Sequence, residues 1–306
     1  MLRKRCRKKD LWYDIFYGAI NLNEKRMRKS CMVFLLLTLS ASVAKSEMIC
    51  FPRSAYEGLS KKYDQGLPEV SLYVLVDQSV GFDDNIKNRV IVQVNNWLKS
   101  NRYIEIAGFS SAVKGRYFEV VTSGRLDAEA DEHYLNNLKR SDLIKYQKFH
   151  RKQHVVARQQ VNKSIRAVFD GSESSIPHSD IISSIKDYSL HIKKDNAKRK
   201  VLLILSDMFE NSSLTSFYKN GAIKNIVPED ELQIIISRKM IPEFSQDVTV
   251  YVMGMGFYWG GEGAKSEEYL DPERSNNLKI FWENYFTASN AVIGEIGFPL
   301  MHGSIK

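Results

Sequence analysis

Cysteine is scarce in this 306-residue chain, with three residues at positions 6, 31 and 50. That number excludes a small scaffold stapled by disulfides. Proline (7) and glycine (17) are also sparse, so a collagen-like or low-complexity chain is excluded and no linker rich in Pro, Gly or Ser divides the sequence. The strongest apolar run, Cys31–Val43, falls short of the roughly 20 residues a membrane-spanning helix needs. What the chain has in excess is positive charge: 44 Lys+Arg against 36 Asp+Glu, a formal net charge of +8. An excess of that size invites a nucleic-acid partner, so its position along the chain decides the reading.

The excess sits at the beginning. Residues 1–46 hold 11 of the basic and 3 of the acidic residues, which leaves 33 of each in the remaining 260 and a net charge of zero. Arg28-Lys29, the apolar run and then Ala44-Lys45-Ser46 are the parts of a secretory signal peptide. We expect a signal peptide over 27–46 with cleavage before Glu47, an over-extended N-terminus over 1–26 with Met27 as initiator, and a periplasmic or secreted product. The alternative is an uncleaved inner-membrane signal anchor, the one case in which a membrane enters. Beyond the leader Cys50 is the single cysteine, so an internal disulfide is impossible there. The neutral balance argues against nucleic acid.

From residue 70 onward, strands alternate with helices. Val70–Val76, Val201–Leu205 and Val248–Met253 are nearly continuous apolar runs of the kind buried on both faces of a parallel sheet. Residues 103–109 and 117–122 form a hairpin pattern, and 292–297 a last strand. Helical periodicity covers 83–100, a long polar stretch at 141–169, 179–193 and an aromatic-rich 275–289. The predicted architecture is an α/β, doubly wound, mostly parallel sheet with helices on both faces and a long helical insertion. It occupies residues 70–300, with 47–69 as an N-terminal segment.

Open α/β sheets bind ligands beyond the carboxyl ends of their strands, and polar clusters stand there. Asp77-Gln78-Ser79-Val80-Gly81 follows the first strand, Ser206-Asp207-Met208 the fourth, and His178-Ser179-Asp180 opens a helix. Carboxylates and hydroxyls are hard donors suited to Mg²⁺, Mn²⁺ or Ca²⁺. Singly, each of these residues is as well explained as a helix cap or turn. Together, behind the right elements and in order, they read as one site.

On these residues the chain resembles von Willebrand factor A (vWA) domains, whose metal-ion-dependent adhesion site uses a D-x-S-x-S loop, a Thr before a helix and an Asp after the fourth strand. Asp77 and Ser79 match the loop, Ser179 keeps the second hydroxyl, and Asp207 matches the last carboxylate. The resemblance implies a vWA/Rossmann-like fold and a divalent cation, Mg²⁺ or Mn²⁺/Ca²⁺, held by Asp77, Ser79, Ser179 and Asp207. It further implies a protein partner whose Asp or Glu completes the coordination. Gly81 replaces the second serine of the loop and Met208 the usual glycine, so one ligand position is left to water or the site is vestigial. A metal-free scaffold and a metal-dependent hydrolase are the alternatives. The chain has no G-x-S-x-G nucleophile elbow, and we expect a binding protein and not an enzyme.

Three further features are weighed. His150 and His154 share a helical spacing, but Lys148, Arg151 and Lys152 beside them repel a cation, and we read a solvated face. The same helix is strongly basic, a pattern that attracts acidic partners or anionic lipid when it is not simply wet surface. The glycines at 254, 256, 260, 261 and 263 lack a phosphate-loop spacing and read as a mobile surface loop. Phe257, Tyr258 and Trp259 within that loop form a contact patch if exposed and pack the sheet end if buried.

Overall fold

In a computed structural model of the chain, residues 51–110, 118–172, 179–258 and 268–306 are described. All belong to one unit running Glu47–Lys306. The leader, Cys50, His178, Trp259 and the glycines at 260, 261 and 263 lie outside the described residues.

Ten strands and six helices follow in chain order among the described residues: β1 (Val70–Asp77), α1 (Asp84–Trp97), β2 (Arg102–Phe109), β3 (Glu119–Arg125), α2 (Glu132–Asn136), α3 (Arg140–Asp170), α4 (Ile181–Ile192), β4 (Arg199–Leu205), β5 (Tyr218–Lys219), β6 (Ala222–Ile223), α5 (Pro228–Ser237), β7 (Val248–Met253), β8 (Phe257–Tyr258), β9 (Glu268–Tyr269), α6 (Pro272–Ala288) and β10 (Val292–Ile296). Six strands form one sheet in the order β10-β7-β4-β1-β2-β3. Every neighbouring pair is parallel except β2 with β3, which is antiparallel. The expected α/β sheet is therefore present, and its strand order is doubly wound and vWA-like.

The period of two along each strand distributes the core. On β1, Leu72, Val74 and Val76 face a cluster that contains Val90 and Val94 of α1 and Ala157 and Val161 of α3. Tyr73 and Leu75 face the other side, with Ile182 and Ile185 of α4 and Trp282 and Phe286 of α6. All eight β1 residues are buried, which is why the strand reads as an unbroken apolar run. Four of the six helices, α1, α2, α4 and α6, start behind an aspartate cap. Asp83 accepts from the amide of Ile86, and Asp271 caps α6 ahead of Pro272. Residues 51–69 pack against the sheet and its helices: Ala55 N–H and Gln65 Nε2 donate to Asp127, and Tyr56 Oη donates to the carbonyl of Ala128.

Two local readings change. The helix expected from Ser179 begins at Ile181, because Asp180 is its cap and accepts from the amide of Ser183. The residues expected to start a mobile surface loop, Gly254-Met255-Gly256, are buried, as is Phe257. Gly254 adopts φ +93, and a Cβ there would lie 2.6 Å from the Phe82 ring and 3.0 Å from the Ser206 carbonyl oxygen. Phe257 packs on Phe82 with ring centroids 5.7 Å apart, so of the two readings given for this residue the packed one holds.

Candidate functional site at the sheet's switch point

The strand order reverses direction between β1 and β4, the position at which open α/β sheets place their ligands beyond the carboxyl ends of the strands. Asp77 closes β1, and Ser206 and Asp207 follow β4 directly. The Ser179 stretch joins from the side through an antiparallel bridge: Ser179 N–H donates to the Asn211 carbonyl at 3.2 Å and Asn211 N–H to the Ser179 carbonyl at 2.9 Å. Residues separated by more than a hundred positions thus meet at one point.

The Asp77 carboxylate is fully buried. Its Oδ1 accepts from the Ser79 amide (2.9 Å) and hydroxyl (2.5 Å). Its Oδ2 accepts from Ser206 Oγ at 2.8 Å and Ser179 Oγ at 3.1 Å. The Ser79 and Ser179 hydroxyls lie 3.2 Å apart. Asp207 turns its own loop by accepting from the Phe209 amide at 3.0 Å; no helix follows, so capping does not explain it. Asp77 and Ser206 form the floor of the cluster, while Ser79, Ser179 and Asp207 keep part of their surface open to solvent.

Burial raises the pKa of Asp77, opposed by the hydrogen bonds of Ser79, Ser206 and Ser179. Asp207 is pushed well up, by burial of its carboxylate and then by the neighbouring charge of Asp77. Two carboxylates therefore confront each other in a poorly solvated place. Among the described residues neither forms an ion pair with a lysine, arginine or histidine.

All four predicted ligands, Asp77, Ser79, Ser179 and Asp207, belong to this one cluster. Ser206, named among the strand-end polar residues but not among the four ligands, joins them: its hydroxyl accepts from the Met208 amide (2.9 Å) while donating to Asp77. Met208, in place of the expected glycine, takes φ 63, a left-handed conformation that costs a side chain about 1 kcal/mol. Its side chain is buried in the α4/α6-side core, and its carbonyl accepts from Trp282 Nε1 at 2.9 Å. The turn thus keeps the backbone a glycine would take and anchors it with core contacts. Gly81 is exposed and supplies no side-chain oxygen.

The donor set fits a hard divalent cation: two carboxylates and three hydroxyls, all oxygen, with excess negative charge and an open side. A cation here would rest on two carboxylates with the serine hydroxyls, since among the described residues no group of three or more His, Cys, Asp or Glu side chains that could hold a metal ion occurs. His150 and His154 do not make one. Their rings sit 6.2 Å apart edge to face, and His154 bonds Ser100 Oγ at 3.2 Å. Both are half-buried, which corrects the solvated face expected for them.

A doubly wound vWA-like sheet with an acidic, hydroxyl-lined switch point is the class this fold and cluster define. No family model and no curated protein matches the chain. Solved structures do, and three of them are similar at low identity. An aerotolerance-related membrane protein from Bacteroides fragilis NCTC 9343 is 11% identical with a TM-score of 0.31, over 75% of this chain and 92% of that one. The conserved hypothetical protein BatB from Bacteroides thetaiotaomicron is 9% identical with a TM-score of 0.32, over 74% and 91%. The PilB minor pilin from Streptococcus sanguinis is 12% identical with a TM-score of 0.37, over 75% of this chain and 63% of the pilin. Scores at this level carry no functional argument, and the fold assignment rests on the strand order itself.

Proposed function

We propose that this is an exported vWA-like interaction module, periplasmic or secreted, that binds a protein partner through a divalent cation at the switch point. The observation that carries the reading is the convergence of Asp77, Ser79, Ser179 and Asp207 on one partly open cluster with two carboxylates and no protein cation paired to them among the described residues. Asp77 and Asp207 would supply the charge, and Ser79 and Ser179 neutral oxygens. Ser206 would hold Asp77 from below. Bound Mg²⁺ or Mn²⁺ supplies a positive anchor for an Asp or Glu of the partner, in keeping with a cation that shares its shell with exogenous oxygens. The module is proposed as a binder and not an enzyme; chelator-sensitive turnover of generic phosphoesters or esters would count against it.

One observation favours a second reading, a metal-free scaffold: Asp77 already accepts four hydrogen bonds and needs no cation to satisfy its lone pairs. Calorimetric titration of Mg²⁺ and Mn²⁺ separates the two. Saturable binding that disappears in Asp77→Ala and weakens in Ser79→Ala supports the cation site. No saturable heat at millimolar metal leaves the scaffold.

A further inference from the structure

We propose that the outer face of α3 is a docking surface for an anionic lipid bilayer. The helix spans 31 residues, about 46 Å. It carries eight lysines and arginines between Arg140 and Arg166 against two acids, Asp142 and Asp170, although residues 47–306 as a whole are neutral. At 3.6 residues per turn all eight fall within about 140° of arc, opposite the face that Tyr146, Gln153, Ala157, Val161 and Ser164 bury. All eight are exposed. Among the described residues one of them, Lys145, forms an ion pair, with Asp142 at 3.8 Å.

Such segregation works against the helix. Lys145–Lys148, Lys148–Arg151 and Lys163–Arg166 are like charges at i,i+3, and Lys148–Lys152 at i,i+4, spacings at which neighbours repel. A face that is only wet surface relieves this by mixing in acids; here a single acid, Asp170 at the C-terminal end, lies within the basic arc. An external anion relieves it instead. Exposed apolar side chains lie on the same face: Ile144 (56%), Phe149 (52%) and Val155 (59%). Ile144 and Val155 fall inside the basic arc, and Phe149 lies about 40° beyond its edge. Cations that reach outward around apolar side chains match a bilayer surface, whose headgroups take the charge and whose acyl boundary takes the apolar groups. A nucleic acid or an acidic protein would use the charge and leave the apolar residues unexplained. The proposal is independent of the cation site, because α3 supplies none of its residues.

Co-sedimentation with vesicles tests it, using the full chain throughout so that residues 1–46 contribute equally to every variant. Wild type is expected to sediment with vesicles containing phosphatidylglycerol at low salt, and not with phosphatidylcholine alone. The double variant Lys148→Glu/Lys152→Glu should lose about tenfold or more in affinity. Phe149→Ser/Val155→Ser, with charge intact, should lose about threefold or more. Both pairs are exposed, and unchanged circular dichroism would show the fold retained. Binding that neither variant alters overturns the proposal, as does equal binding to both vesicle types or none to either. Loss in the charge variant alone, with the apolar variant binding as wild type, shows attraction to anionic charge without an apolar contribution and overturns the assignment of this face to bilayer docking.

Discussion

Two carboxylates are buried in this sheet, and the protein treats them in opposite ways. Glu105, in the middle of β2 and 3% exposed, accepts from Tyr188 Oη at 2.9 Å and Tyr103 Oη at 3.0 Å. His191 Nε2 lies 2.9 Å from its Oε1 and is raised in pKa chiefly by that hydrogen bond. Asp77, at the end of β1, accepts only from neutral groups and faces a second carboxylate, Asp207. The first charge is matched from within the fold. The second pair is left unmatched by the described residues, and its open side points to a counter-charge from outside. A matched buried carboxylate is a structural tie, whereas the unmatched pair is where the proposed cation would sit.

Removing each carboxylate should expose that difference. Glu105→Ala strands three donors and should cost the most, about 3 kcal/mol or more in chemical denaturation. A cost below about 1 kcal/mol would break the contrast from the structural side. Glu210 sharpens it from a third position. Buried and accepting from the Ile182 amide at 2.9 Å, its carboxyl is pushed up from 4.5 to about 8 by burial. The unfolded chain then gives up this proton first, so stability should fall as pH rises from about 4.5 towards 8. Glu210→Gln should remove that fall and gain on the order of 2 kcal/mol above pH 8. A wild-type melting curve without the fall, or a variant that keeps it, would contradict the assignment.

Asp207→Asn should do what no change at Glu105 does, stabilising the metal-free protein by about 1 kcal/mol by relieving Asp77, while abolishing any gain in thermal stability from Mg²⁺. The smallest effect belongs to His191. Its raised pKa adds stability that is complete below its unfolded value near 6.5 and is lost as pH rises through the folded value. The side chain is 36% exposed, so screening holds the effect below about 1 kcal/mol. His191→Gln should flatten this part of the pH profile, and an unchanged profile would show the ion pair to be inert.

Much of the sheet is legible in the sequence because β1, β4 and β7 are buried on both faces and leave nearly continuous apolar runs; β7 has the same bounds in both readings. The four proposed ligands are legible for a related reason, as each is tied to the end of a strand or the start of a helix. Other elements leave weaker traces. The five residues of α2 are too few to show a period. In α5, Ile234 and Ile236 are exposed while Ile235 is buried, which hides the amphipathic pattern. Its start is nonetheless announced by Pro228 with Glu229, Asp230 and Glu231 in the first turn. The sequence places Ser206 at the strand end without a role, because a serine beside a strand-end aspartate is ordinary turn chemistry until its hydroxyl is seen to donate to Asp77. The Glu105 tie could not be read at all, since Tyr188 and His191 lie 83 and 86 positions away.

The most direct test of the central claim is a crystal structure after a Mn²⁺ soak, with the metal located by anomalous scattering. The account predicts one strong peak at the switch point, within coordination distance of Asp77, Ser79, Ser179 and Asp207, with an open position towards solvent. An empty switch point, with Asp77 still accepting from Ser79, Ser179 and Ser206 at saturating Mn²⁺, would contradict it.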